Sequence, residues 1–86
     1  MKVLITGAAG RLGYEVVKIC ALEGCMVRAF DLPQVNWAHL ETVNGVETFK
    51  GDITDKNSVR EACRGVDAAT AYLRHTGKEK SGTWTP

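Results

Sequence analysis

The sequence contains no apolar run long enough to cross a membrane and nothing of the build of a secretory leader, since Met1 to Ile5 passes at once into a glycine-rich turn. It reads as a soluble, cytoplasmic chain. Charge of neither sign is in excess: 11 basic and 10 acidic side chains leave a formal net charge of +1, so no general affinity for nucleic-acid backbones or anionic membranes is expected. Cysteine is scarce and odd in number. The gaps between Cys20, Cys25 and Cys63 match neither a zinc site nor a disulfide framework, which leaves three reduced, mostly buried thiols. His39 and His75 have no partner ligands at metal spacing and read as solvent-exposed, so no metal site is expected. Trp37 and Trp84 lack the interleaved basic residues of a base-stacking surface and read as a packing residue and a tail residue. Length is the last shortage. The 86 residues make one small domain, and a domain of that size hides only about 60–65% of its unfolded surface.

What is present alternates. Lys2-Val3-Leu4-Ile5-Thr6 is a short, branched apolar run of the kind buried on both faces of a parallel sheet. From Arg11 to Glu23, Leu12, Val16, Ile19, Cys20 and Leu22 recur at helical spacing, and Gly24 stands where a left-handed cap is wanted. Cys25 to Phe30 predicts a second strand ending at Asp31. A weak helical pattern over 35–43 has Asn36 as its cap and Asn44-Gly45 as its end. Val46 to Lys50 predicts a third strand, Lys56 to Arg64 a helix capped by Thr54 or Asp55 and closed by Gly65, and Val66 to Leu73 a fourth strand. This succession spells an α/β fold, a partial Rossmann-like doubly wound parallel sheet of about four strands with two to three helices. Residues 1–73 form that part. Residues 74–86, rich in charge, glycine and threonine, read as an irregular or disordered tail.

Gly7-Ala8-Ala9-Gly10-Arg11-Leu12-Gly13 lies between the first strand and the first helix, where a parallel sheet offers the carboxyl end of a strand to a ligand. Gly7 permits a tight turn, Gly10 lets the backbone approach a pyrophosphate, and Gly13 lets the helix pack close. The free N–H groups and positive dipole end of the helix then face the phosphates. Asp31, eighteen residues beyond Gly13, is close to the offset of about 20 residues at which a carboxylate accepts hydrogen bonds from an adenosine ribose. A carboxylate there repels a 2′-phosphate, which favours NAD over NADP. Arg11 and Arg28 complicate the preference, because a guanidinium can pair with an added phosphate. Arg11 reads more readily as lying along the pyrophosphate and Arg28 as a strand-face charge.

Thr6-Gly7-Ala8-Ala9-Gly10-Arg11-Leu12-Gly13 resembles the TGxxGxxG motif of the extended short-chain dehydrogenase/reductases, the group of NAD-dependent epimerases and dehydratases of nucleotide sugars. Gly51-Asp52-Ile53-Thr54-Asp55 is similar to the GDxxD segment in which that family holds adenine with the aspartate and the next residue. The resemblance covers residues 1 to about 69. It implies cofactor contacts at Gly7, Gly10, Arg11, Leu12, Gly13, Asp31, Asp52 and Ile53, and NAD as the cofactor.

The family's chemistry uses a tyrosine as general base with a lysine four residues on. Tyr14-Glu15-Val16-Val17-Lys18 has that spacing but stands on the first helix, just after the glycine turn, whereas the family's pair lies on a much later helix. It is read as surface decoration, and no catalytic residue is assigned. Beyond Ala69 the sequence departs from the family's Val/Ile-rich strand and His-x-Ala-type loop. A truncation and a reading frame that leaves the ancestral one near Ala69 both account for this. The leading expectation is an NAD(P)-binding fragment of an epimerase/dehydratase-type oxidoreductase that binds the ADP moiety. The alternatives are a stand-alone nucleotide-sensing or interaction module, self-associating through an exposed fourth-strand edge, and a truncated or frame-shifted product without function.

Overall fold

A computed structural model describes residues 1–75 and 78–84, with side chains through residue 69. Strand β1 (Lys2–Thr6) leads into helix α1 (Arg11–Leu22), which returns to strand β2 (Met26–Asp31). Alternation along β1 explains both faces of the sheet. Val3 and Ile5 pack with Val27, Ala29, Val17, Trp37 and Leu40 on one side, while Leu4 packs with Phe30, Ala62, Val66 and Ala69 on the other. Because β1 is covered on both faces, its hydrophobic run is continuous. The single turn of helix α2 (Ala38–Glu41) leads to β3 (Val46–Lys50), and helix α3 (Lys56–Ala62) leads to β4 (Ala68–His75). Helices α1 and α2 supply residues to the first cluster and α3 to the second, as a doubly wound sheet requires.

The strand order is β3-β2-β1-β4-β5, with the first four strands parallel. The order reverses between β1 and β4. There the Lys2 N–H donates to Asp67 Oδ2 and the Asp67 N–H donates to Lys2 O, both at 2.8 Å, which seats the start of β4 against the start of β1. Arg28, from the face of β2, donates through Nη1 to the carbonyls of Ala62 and Arg64 at 2.7 Å each and through Nε to Glu47 at 2.7 Å. One guanidinium thus satisfies carbonyls left over at the end of α3 and complements its dipole.

The elements differ from the sequence reading at several points: the fourth strand, expected over 66–73, is found over Ala68–His75, and the helix expected over Lys56–Arg64 ends at Ala62. The expected helix over 35–43 is reduced to Ala38–Glu41, and the Asn36 side chain does its capping work by accepting the Ala38 N–H at 3.0 Å. Residues 74–86 are not irregular throughout: β5 (Lys78–Trp84) runs antiparallel to β4, from the Ala69–Trp84 pair to the His75–Lys78 pair. The outer N–H and C=O groups of a fourth strand need partners, and the following segment supplies them. The edge of β4 expected to be open is therefore covered. The cysteines are free, but half-buried rather than mostly buried, and burial pushes the Cys20 and Cys63 thiols up. No helix among the described residues is long and apolar enough to cross a membrane. They also include no group of three or more His, Cys, Asp or Glu able to hold a metal ion.

Candidate functional site

The carboxyl ends of β1, β2 and β3 meet at the glycine turn. Gly7 has φ 65°, a left-handed backbone that turns the chain sharply out of β1. The Gly10 N–H closes the turn on Gly7 O at 3.1 Å, and the Tyr14 N–H bonds Gly10 O at 2.9 Å to begin α1. At Gly13 the helix presses on the turn so closely that a Cβ would lie 2.1 Å from Gly7 O and 2.9 Å from Ala8 Cα. Only glycine permits that approach. Gly10 meets no such obstacle within the protein, its nearest neighbour being 3.4 Å from an added Cβ.

Helix α1 has no side-chain cap and no acidic residue in its first turn. Its leading N–H groups are thus left for an external acceptor, and the dipole favours a negative one. Arg11 and Leu12 are both exposed on that first turn. A pyrophosphate fits this surface: uncapped donors, a glycine where the backbone must be approached, and a cation beside them.

Asp31 ends β2 at the rim of the turn. Its Oδ2 accepts the Ala9 N–H at 2.9 Å and its Oδ1 accepts the Leu32 N–H at 2.8 Å, so the carboxylate is fixed between the turn and the chain leaving β2. Each carboxylate oxygen retains a lone pair for a further donor. The loop after β3 joins the same place through the Gly51 N–H, which donates to Asp31 O at 3.0 Å. That loop passes tightly over Phe30, whose ring atoms lie 3.0–3.1 Å from where a Gly51 Cβ would stand. Asp52 follows. Its Oδ1 accepts both the N–H and the hydroxyl of Thr54, at 2.9 and 2.7 Å, and these bonds hold its carboxyl below the usual range. Ile53 is exposed beside Lys56, Val59 and Arg60 in a shallow depression against α3.

The structure thus brings Gly7, Gly10, Arg11, Leu12, Gly13 and Asp31 together at one rim, with Asp52 and Ile53 on the adjoining loop. Arg28 stands apart, committed to Glu47 and the end of α3. Lys18 Nζ lies 4.6 Å from the Tyr14 ring centroid and 3.0 Å from Glu15, but Tyr14 is half-buried and packs against the first core cluster rather than decorating the surface. Trp37 is the packing residue expected, buried beneath the sheet face, and its Nε1 has no hydrogen-bond partner among the described residues.

One residue of this region departs from its reading in the sequence. His39 is half-buried rather than solvent-exposed: Nε2 lies 3.0 Å from Ala9 O, and the ring stands edge-on to Tyr14 at 4.6 Å. No spacing rule connects it to the turn, because α2 brings it there from thirty residues away.

A family model described as the NmrA-like family matches residues 1–82. Sterol demethylase protein B of Methylococcus capsulatus is 40% identical over 67 residues, covering 78% of this chain and 20% of that protein. The 2-alkyl-3-oxoalkanoate reductase of Stenotrophomonas maltophilia is 36% identical over 84 residues, covering 98% of this chain and 23% of that protein. Among solved structures, a short-chain dehydrogenase/reductase superfamily protein of Agrobacterium tumefaciens with bound NAD superposes with a TM-score of 0.65 at 32% identity, over 83% of this chain and 20% of that one. The chain thus spans about a fifth of the length of these relatives.

Proposed function

The chain belongs to the NmrA-like family, and from that premise we propose that its glycine turn binds the ADP half of a nicotinamide dinucleotide, as the nucleotide-binding part of an epimerase/dehydratase-type oxidoreductase. The observation that carries the reading is the junction at Ala9. A carboxylate fixed at the end of β2 stands one residue from Gly10 and the uncapped start of α1, so one ligand can reach the carboxylate with hydroxyls and the helix with phosphates. The bound dinucleotide supplies a hydride acceptor or donor. The residues of this chain bind and orient it. The N–H groups opening α1 take the pyrophosphate, Arg11 neutralises it, Asp31 accepts from the adenosine ribose, and the loop at Asp52 and Ile53 borders the adenine. No proton-transfer role is assigned to any residue.

NAD is favoured over NADP. Asp31 places negative charge where a 2′-phosphate would come, and Arg28, the cation nearest along β2, is engaged elsewhere. Arg11 serves the pyrophosphate. Isothermal titration of the chain with NAD, NADP and ADP-ribose tests the reading. NAD and ADP-ribose are expected to bind alike and more tightly than NADP; absence of heat from all three at millimolar concentration sinks the proposal.

A further inference from the structure

Ala9 sits between Gly7 and Gly10, in a stretch that neither β1 nor α1 stabilises with its own repeating bonds. It is instead held at both of its peptide groups. The N–H donates to Asp31 Oδ2 at 2.9 Å, and the carbonyl lies 3.0 Å from His39 Nε2. A carbonyl can only accept, so this contact places the ring proton on Nε2. The imidazole is itself braced, edge-on to Tyr14 with ring centroids 4.6 Å apart and planes at 77°. Helix α2, through His39, therefore reaches one carbonyl of the glycine turn, and the first turn of α1, through Tyr14, braces the ring that does so.

We propose that His39 is a positioning residue for dinucleotide binding: its Nε2–H holds the Ala9 carbonyl and so sets the glycine turn in its ligand-ready shape before the pyrophosphate arrives. The proposal rests on the dinucleotide reading of the site. Its physical basis is preorganisation. A turn flanked by two glycines samples many conformations when untethered, and ordering it on binding subtracts from affinity. Asp31 tethers one end of Ala9 and is also a ligand group. His39 tethers the other end and does not need to touch the ligand at all.

Two substitutions separate the donor from the ring. His39→Phe keeps an aromatic ring against Tyr14 and removes the donor. His39→Gln puts an amide N–H near the position of Nε2 and removes the ring. Titration with NAD is expected to show His39→Phe weakened by about three- to tenfold, the effect of losing one ordinary hydrogen bond, and His39→Gln close to the wild type. The reverse order, equal loss in both variants, or no loss in either overturns the assignment.

A second measurement needs no ligand. Amide hydrogen exchange in the free chain is expected to speed up at Ala9 and Gly10 in His39→Phe but not in His39→Gln, with the β1 amides of Leu4 and Ile5 unchanged as the control for folding. If wild-type chain fails to bind NAD, the dinucleotide reading falls by itself, and exchange decides the tether: acceleration in His39→Phe alone supports it, and wild-type protection in that variant overturns it.

Discussion

Gly13→Ala probes the closest contact in the structure. The added methyl would stand 2.1 Å from Gly7 O, 2.8 Å from Gly7 C and 2.9 Å from Ala8 Cα, all backbone atoms that cannot swing aside as a side chain would. Restoring an ordinary contact of 3.4 Å to Gly7 O from 2.1 Å requires the helix and turn to part by 3.4 − 2.1 = 1.3 Å. Overpacking a tight site costs about 1–3 kcal/mol, and backbone obstruction belongs at or above the upper end. Alanine returns up to about 1 kcal/mol of helix propensity over glycine, which leaves a net loss of about 2 kcal/mol. For a domain of this size that lowers Tm by roughly 8–16 °C, readable by circular dichroism at 222 nm. Gly24→Ala is the control. Its φ of 87° strains an alanine, but nothing lies within 4 Å of the new methyl, so only the left-handed penalty of about 1–2 kcal/mol applies, again offset in part by the unfolded chain. A Gly13→Ala melt within about 4 °C of the wild type, the shift of a single kcal/mol, would refute the close packing of α1 on the turn.

Other perturbations address the site and its supports. Gly10→Ala should fold normally, since its methyl meets only an ordinary contact, yet lose NAD binding in calorimetry because the methyl occupies the approach to the backbone; retained affinity would move the phosphate away from Gly10. Asp31→Asn should weaken NAD binding by about 1–3 kcal/mol, the loss of a charged hydrogen bond, and narrow the preference over NADP; an unchanged affinity would return Asp31 to a purely structural role. Asp55, whose side chain accepts the Asn57 N–H at the start of α3, should cost about 1 kcal/mol when replaced by alanine, read as a lower urea midpoint. Hydrogen bonds from Arg28 and then Lys2 hold Glu47 below its usual range. Its folded pKa being depressed, Glu47 contributes stability that is present above the ordinary Glu range and is lost as pH falls through its folded pKa. Because Glu47 is half-exposed, the contribution is small and salt-screened. Urea midpoints followed from pH 6 to pH 3 should therefore fall less steeply for Glu47→Gln than for the wild type, and identical slopes would remove the pair from the account.

Elements carried by strong local signals were legible from the residues. The first helix, read as 11–23, ends at Leu22 with Glu23 as its cap, and the third strand is found over Val46–Lys50 as read. Gly24, Gly45 and Gly65, each of which the sequence places at the end of a helix, all adopt positive φ. The second helix was overextended because Trp37, Leu40 and Val43 share a helical spacing, yet only Trp37 and Leu40 reach the core and a single turn suffices to bury them. Strand β5 was missed because its charged, glycine-containing sequence has no apolar alternation of its own; its pairing depends on β4, a non-local partner. The same reason hides His39 and Arg28. One meets a carbonyl thirty positions away and the other two carbonyls thirty-four and thirty-six positions away, and no local pattern encodes such contacts. The glycine turn was legible because its role is local: it must leave a strand, start a helix and keep the space between them clear.

In the proposed function, the rim where β1, β2 and β3 end and α1 begins receives a dinucleotide. Titration of isotopically labelled chain with NAD, followed by amide resonances, tests that claim most directly. Saturable shifts are expected at Gly7, Gly10, Arg11, Leu12, Gly13 and Asp31, with smaller ones at Asp52 and Ile53, and little change at the opposite ends of the strands near Lys2 and Met26. Shifts confined to the depression beside Lys56 and Arg60, or a spectrum unmoved at millimolar NAD, would contradict that claim.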